Sequence, residues 1–157
     1  MILTGIIIKP SFKIELVEKR FDVSKLAPAL DNVAPLYPNF NIWFKDKFLF
    51  NFYIGNRDIL FAHNGNNLCG VSLLKKTPEE NKICTFYVMP EFQGRELGSK
   101  LLEKSLNYLD DKDVLISVSN ERLSELYPTL SSKGFVLDNC VEHMYRNDNI
   151  EHFFKAK

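Results

Sequence analysis

The chain has 157 residues, 45% of them hydrophobic and 25% charged, which excludes a wholly disordered or fibrous chain. Lys plus Arg equals Asp plus Glu at 20 each, so the chain lacks the basic excess of a protein built to grip nucleic acid. The three cysteines, Cys69, Cys84 and Cys140, show neither CxxC nor Cys/His spacing; reduced thiols in a cytoplasmic protein, and no metal site, are expected.

In chain order, Ile2–Ile8 reads as a strand, too short for a membrane span and without the basic leader or cleavage site of a signal peptide. Phe12–Val17 is extended. Val23–Leu36 is helical but interrupted at Pro28 and Pro35, so two short pieces are expected. Ile42–Ile54 is a helix with Gly55 as its stop. Asp58–Ala62 and Leu68–Leu74 flank the tight turn N-G-N-N as a hairpin, and Ile83–Met89 adds a third strand. Leu97–Leu109 is a helix with Leu101, Leu102, Leu106 and Leu109 on its buried stripe. Val114–Ser119, apolar without alternation, reads as a central strand. Asn120–Ser132 is a helix stopped by Gly134, and Phe135–Leu137 and Val141–Tyr145 close the chain as two strands around D-N. No repeat or linker divides the chain. The order predicts one α/β domain over residues 1–157, a mixed central sheet flanked by helices.

Residues 88–102 read V-M-P-E-F-Q-G-R-E-L-G-S-K-L-L. A strand stops at Pro90, glycines follow at 94 and 98, and a leucine-rich helix begins. In such an arrangement bare backbone N–H groups are offered to an anion. The P-loop and dinucleotide fingerprints are both absent. Taken whole, F-Y-V-M-P-E-F-Q-G-R-E-L-G-S-K-L-L resembles the acetyl-CoA-binding segment of the GNAT superfamily of N-acetyltransferases: strand, V-x-P, then Q/R-x-x-G-x-G/A opening a helix. The strand ending at Asn120, the helix after it and G-F at 134–135 are similar to the second half of that fold. The resemblance spans roughly residues 12 to 147.

The resemblance implies a GNAT-like fold and direct transfer of acetyl from acetyl-CoA to a primary amine, without a covalent enzyme intermediate. It places Gln93 at the motif's Gln/Arg, and Gly94, Arg95, Glu96, Leu97, Gly98, Ser99 and Lys100 around the CoA pyrophosphate. Phe86 and Val88 would meet the thioester and pantetheine with their backbone, at a strand that bulges and splays from the next. Asn120 would make a further polar contact to the coenzyme. Glu96 departs from the motif, standing where its first glycine belongs, and is expected to weaken CoA binding without abolishing it.

The general acid implied by the resemblance is Tyr127, seven residues past Asn120. Counting back from Gly134 points instead to Leu130, which has no proton to give. The strand at 82–85 carries no Glu for a base, leaving water, His63, or Glu142 and His143. Cys84 reads as a buried strand residue. The acceptor would be a small-molecule, peptide or protein amine lying between residues 23–54 and the last two strands, with Phe40, Trp43 and Phe44 near it. No membrane or nucleic-acid partner is expected, and a monomer or homodimer is. The alternative is a non-catalytic module of GNAT fold that binds an acyl-CoA or a protein partner.

Overall fold

In the computed structural model, which describes residues 12–65, 67–93, 96–110, 113–145 and 149–156, seven strands form one mixed sheet. They are β1 (Lys13–Leu16), β2 (Arg57–His63), β3 (Leu68–Lys76), β4 (Asn81–Val88), β5 (Leu115–Ser119), β6 (Phe135–Glu142) and β7 (Ile150–Ala156), in the order β1-β2-β3-β4-β5-β7-β6. All neighbours are antiparallel except β4 and β5, which are parallel and joined by α4 (Glu96–Leu109). The expected mixed sheet is present. The expected strand Ile2–Ile8 lies outside the described residues.

Helices cover both faces. On one, Leu97, Leu101 and Leu102 of α4 and Leu126 and Leu130 of α5 (Leu123–Ser132) pack on Ile83, Phe86, Val88 and Ile116. Burying such a side chain contributes about 1.5–3 kcal/mol. Ser105 of α4 donates to the Ser72 hydroxyl of β3 at 2.8 Å, fixing the helix on the sheet. Contact is closest at Gly70, where a Cβ would lie 3.1 Å from the Tyr87 carbonyl oxygen and 3.3 Å from Leu101 Cδ2.

The other face carries α1 (Ala27–Val33), α2 (Phe40–Trp43) and α3 (Phe50–Ile54), with Leu30, Phe48 and Phe52 packed on Ile59, Val71 and Leu73. Pro28 and Pro35 open helical turns rather than breaking them. Each is the second residue of its element, in a first turn where the missing N–H is no loss. The helix over 40–54 is continuous, but residues Phe44–Leu49 are π-helical. Gly55 ends it at φ 107°, a left-handed cap that glycine adopts without strain.

The end of the chain differs from the reading of its sequence. Phe135–Leu137 and Val141–Glu142 belong to one strand, β6, residues 143–145 lie beyond its end, and the final strand is β7. D-N is no turn: Leu137 pairs with Phe154 and Asn139 with Phe153, so Asp138 is an extra bulged residue. The chain reverses after His143, whose φ is 58°.

Candidate functional site

Strand β4 is irregular where the resemblance placed its slot. Leu73 pairs with Thr85 and Leu74 with Ile83, which leaves Cys84 as an extra residue on β4. Its parallel contact with β5 lasts for two pairs, Lys82 with Leu115 and Ile83 with Ile116. Beyond that bulge the strands part. Each residue of a strand directs its N–H and C=O to the same edge, and alternate residues share an edge. The Phe86 carbonyl accepts a 2.7 Å hydrogen bond from Arg122 of the turn opening α5, and the Val88 carbonyl one of 2.9 Å from Gln93 Nε2. Phe86 and Val88 therefore face the open edge with their main chain, while their side chains lie in the core.

At the far end of the gap is the start of α4. Gly94 and Arg95 lie outside the described residues. Glu96 is exposed and pairs with Lys100 at 3.4 Å, so its charge is partly balanced on its own helix. Leu97 is fully buried and anchors the first turn. A Cβ on Gly98 would meet only Val88 Cγ2, at 3.8 Å, so the turn is open on that side. Ser99 is half-buried beside it. Gln93, tied to Val88, closes the corner from strand to helix. These surroundings suit an anionic coenzyme: a 14-residue helix begins at the mouth of a gap edged by main-chain groups.

Asn120 stands at the end of β5, and its side chain bonds His152 Nε2 of β7 at 3.0 Å. Tyr127 is half-exposed, with its ring 6.0 Å from Phe154; the residues of this segment that border the gap are Arg122 and Leu126. His63 is far from the gap, bonded to Glu15 of β1 at 2.9 Å. Glu142 and His143 are exposed. Cys84 is half-buried on the bulge, and burial pushes its thiol up.

On the α1–α3 side of the gap lies a cavity of about 260 Å³. Tyr37, Phe40, Trp43 and Lys47 wall it from the helices, Tyr145 from the β6–β7 turn, and Thr85 and Ser117 from the parted strands. Phe40 and Trp43 were legible as candidates; Phe44 stacks on Phe48 beside them. The polar centre was missed. Tyr37 donates to Glu151 Oε1 of β7 at 3.0 Å, and Glu151 is 1% exposed. Burial, reinforced by Glu151, pushes the Tyr37 phenol far up, so it stays protonated and donating. The Tyr145 ring meets Tyr37 edge-on at 5.3 Å. The one available signal was Glu151 itself, a carboxylate in the otherwise strand-forming run I-E-H-F-F-K-A.

Among the described residues no helix is long and apolar enough to cross a membrane. No curated protein sequence matches the chain. Solved structures do. A chain of the NatC complex, crystallised with a Gag peptide and CoA, is 16% identical over 92% of this chain and 97% of its own, with a TM-score of 0.74. A GNAT family acetyltransferase from Elizabethkingia anophelis with acetyl-CoA bound is 16% identical over 95% and 99%, at 0.66. An acetyltransferase from Bacillus subtilis in complex with CoA is 17% identical over 94% and 99%, at 0.67. At such identities the likeness is one of fold. The sequence itself matches the family model for the GNAT acetyltransferases over residues 27–130, and with two thirds of its length inside that match the chain belongs to the GNAT acetyltransferase family.

Proposed function

We propose that the protein transfers acetyl from acetyl-CoA to a primary amine. The observation that carries this reading is the open edge of β4, where Phe86 and Val88 present main-chain groups to a gap that leads from the start of α4 to the Tyr37 cavity. All three similar structures named above hold CoA or acetyl-CoA. Here Glu96, Leu97, Gly98, Ser99 and Lys100, with Gln93, Gly94 and Arg95 before them, would receive the pyrophosphate, and Asn120 would add a side-chain contact. Acetyl-CoA supplies the thioester carbonyl that the amine attacks.

The amine must lose one proton and the departing sulfur gain one. Tyr37 and Glu151 provide the first path: the hydroxyl accepts from the amine as it donates to Glu151 Oε1, and the proton rests on the buried carboxylate. Tyr127, next to Leu126 at the gap, is the donor to the sulfur in this reading. Arg122 keeps a positive charge beside the Phe86 carbonyl, where negative charge develops.

One contact favours a second reading, a binding module without turnover. Arg122 already holds the Phe86 carbonyl, and the space beside it is only about 20 Å³. The two readings separate by thermal shift with acetyl-CoA followed by thiol release across an amine panel. A stabilised protein that releases thiol supports transfer; stabilisation without release supports the module. Gly98→Trp is expected to abolish the coenzyme shift and Gly98→Ala to keep it. An unchanged shift in Gly98→Trp would refute the placement of the pyrophosphate.

A further inference from the structure

The sheet floor of the cavity carries an arrangement that folding alone would avoid. Arg57 of β2 pairs directly with Lys75 of β3, and Lys75 directly with Lys82 of β4. Three cations thus stand in one row across three adjacent strands, about 5 Å apart from strand to strand. All three line the cavity, and Lys47 joins them from the π-helical turn. Against these four cations the cavity lining offers one carboxylate, Glu80, in a chain whose acidic and basic residues balance at 20 each. Like charges set opposite one another destabilise a sheet.

Glu80 relieves only part of this, because it is taken by Lys75 at 2.8 Å. Arg57 is 7% exposed, and its guanidinium donates to two neutral oxygens, the Asn56 carbonyl at 3.2 Å and Asn56 Oδ1 at 3.1 Å. Among the described residues neither Arg57, Lys82 nor Lys47 forms an ion pair. A guanidinium that is nine-tenths buried and lacks a carboxylate partner is costly, and it is turned into a cavity.

We infer that the acceptor is a small primary amine that also carries an anionic oxygen group, a carboxylate or a phosphate, and that Arg57, Lys75 and Lys82 bind that group. The identity of the ligand as acceptor rests on the acetyl-transfer reading; the anion site does not. A cavity of about 260 Å³ admits a small molecule. Its amine would lie towards Tyr37, Ser117 and the β4–β5 gap, its anionic end over the row of cations, and its body against Phe40 and Trp43, whose rings touch at 5.5 Å. A cation row at the far end selects by charge, and an amine without an acid group leaves it unmatched.

Calorimetric titration of the full chain with 4-aminobutyrate, 2-aminoethyl phosphate and butylamine tests this. At least one anionic amine is expected to bind tenfold or more tightly than butylamine. Lys82→Gln, at a half-buried position free of ion pairs, is expected to remove most of that margin while retaining the wild-type unfolding curve. A margin with 4-aminobutyrate alone identifies a carboxylate as the ligand group, and one with 2-aminoethyl phosphate alone a phosphate. Butylamine binding as tightly as both, or a margin untouched by Lys82→Gln, overturns the inference. Thiol release in the presence of acetyl-CoA distinguishes the two claims. No release with any amine, with the binding margin intact, removes the transfer reading and leaves the anion site. Equal release from all three amines with no binding margin does the reverse.

Discussion

Arg122 reaches across the parted strands to the main chain of Phe86, donating at 2.7 Å to a carbonyl that has lost its neighbour on β5. The same guanidinium pairs with Glu125 at 3.1 Å and lies 5.1 Å from the centre of the Tyr87 ring. It thereby pins the start of α5 to β4. Replacing it with alanine leaves a buried carbonyl without that partner, at a cost of about 1–3 kcal/mol. Arg122→Ala is expected to lower the urea midpoint accordingly and to slow acetyl transfer by tenfold or more, with little change in acetyl-CoA affinity. Lysine at the same position should restore part of the rate, because it returns the charge without the fork. Stopped assays of thiol release at saturating coenzyme would show a rate equal to wild type if Arg122 only braces the helix.

Tyr37→Phe removes the hydrogen bond to a carboxylate that is 1% exposed. Hydrogen bonds to charged groups contribute about 1.5–3 kcal/mol, and a loss of that size is expected in chemical denaturation. Turnover should fall through kcat more than through KM, since the path for the amine proton is cut while the walls of the cavity remain. An unaltered kcat would remove Tyr37 from the proton path.

Glu96 sits exposed on the first turn of α4, its charge partly met by Lys100. At about 6 Å from a phosphate, a carboxylate costs on the order of 0.7 kcal/mol in water, or about threefold in affinity. Glu96→Gln is therefore expected to tighten acetyl-CoA binding about threefold at low salt, with the gain shrinking as salt rises. Titration calorimetry at two ionic strengths checks both parts; an affinity that falls would place the carboxylate on the coenzyme's favourable side.

Glu80 supplies a pH dependence. The hydrogen bond from Lys75 holds its carboxyl below the usual range against desolvation, and the charges of Lys75, Lys82 and Arg57 add to the effect. A carboxyl whose folded pKa is depressed stabilises the fold above its unfolded value, about 4.3, and that contribution is lost as pH falls through the folded value. Urea unfolding of wild type and Glu80→Gln should therefore differ most near neutral pH, with the gap beginning to shrink below about pH 4.3 and closing only once pH is under the folded value. A gap that does not shrink at all as pH falls from neutral to the acid limit of the fold would mean the carboxylate contributes by packing rather than by charge.

The succession of β4, turn and α4 was legible in the sequence because its signals are local. A proline ending β4, glycines at 94 and 98 and leucines at helical spacing sit within fifteen residues. The lining of the Tyr37 cavity was not, because it is assembled by register. Arg57, Lys75 and Lys82 lie up to 25 positions apart, and nothing but strand pairing brings them into a row. Tyr37 and Glu151 meet across 114 positions. The last strand was hidden twice over. Asp138 and Asn139 have turn chemistry but form a bulge, and Glu151 interrupts the apolar alternation of β7 because it faces the buried polar centre. Tyr127 follows Leu126, which borders the gap, and its half-exposed ring lies 6.0 Å from Phe154.

The π-helical turn over Phe44–Leu49 carries one wall of the cavity apart from the sheet. Its wide turn sets the angular phase between Phe40 and Trp43, which face the cavity, and Phe48 and Phe52, which face the core. Deleting a single residue there would convert the stretch to ordinary α-helix and rotate Trp43 and Lys47 against the cavity by about 100°. The wall of the cavity would then be reshaped, while β4, its bulge and the start of α4 stayed as they are. One codon's gain or loss is thus a route by which the wall of this cavity changes while the corner from β4 to α4 is kept.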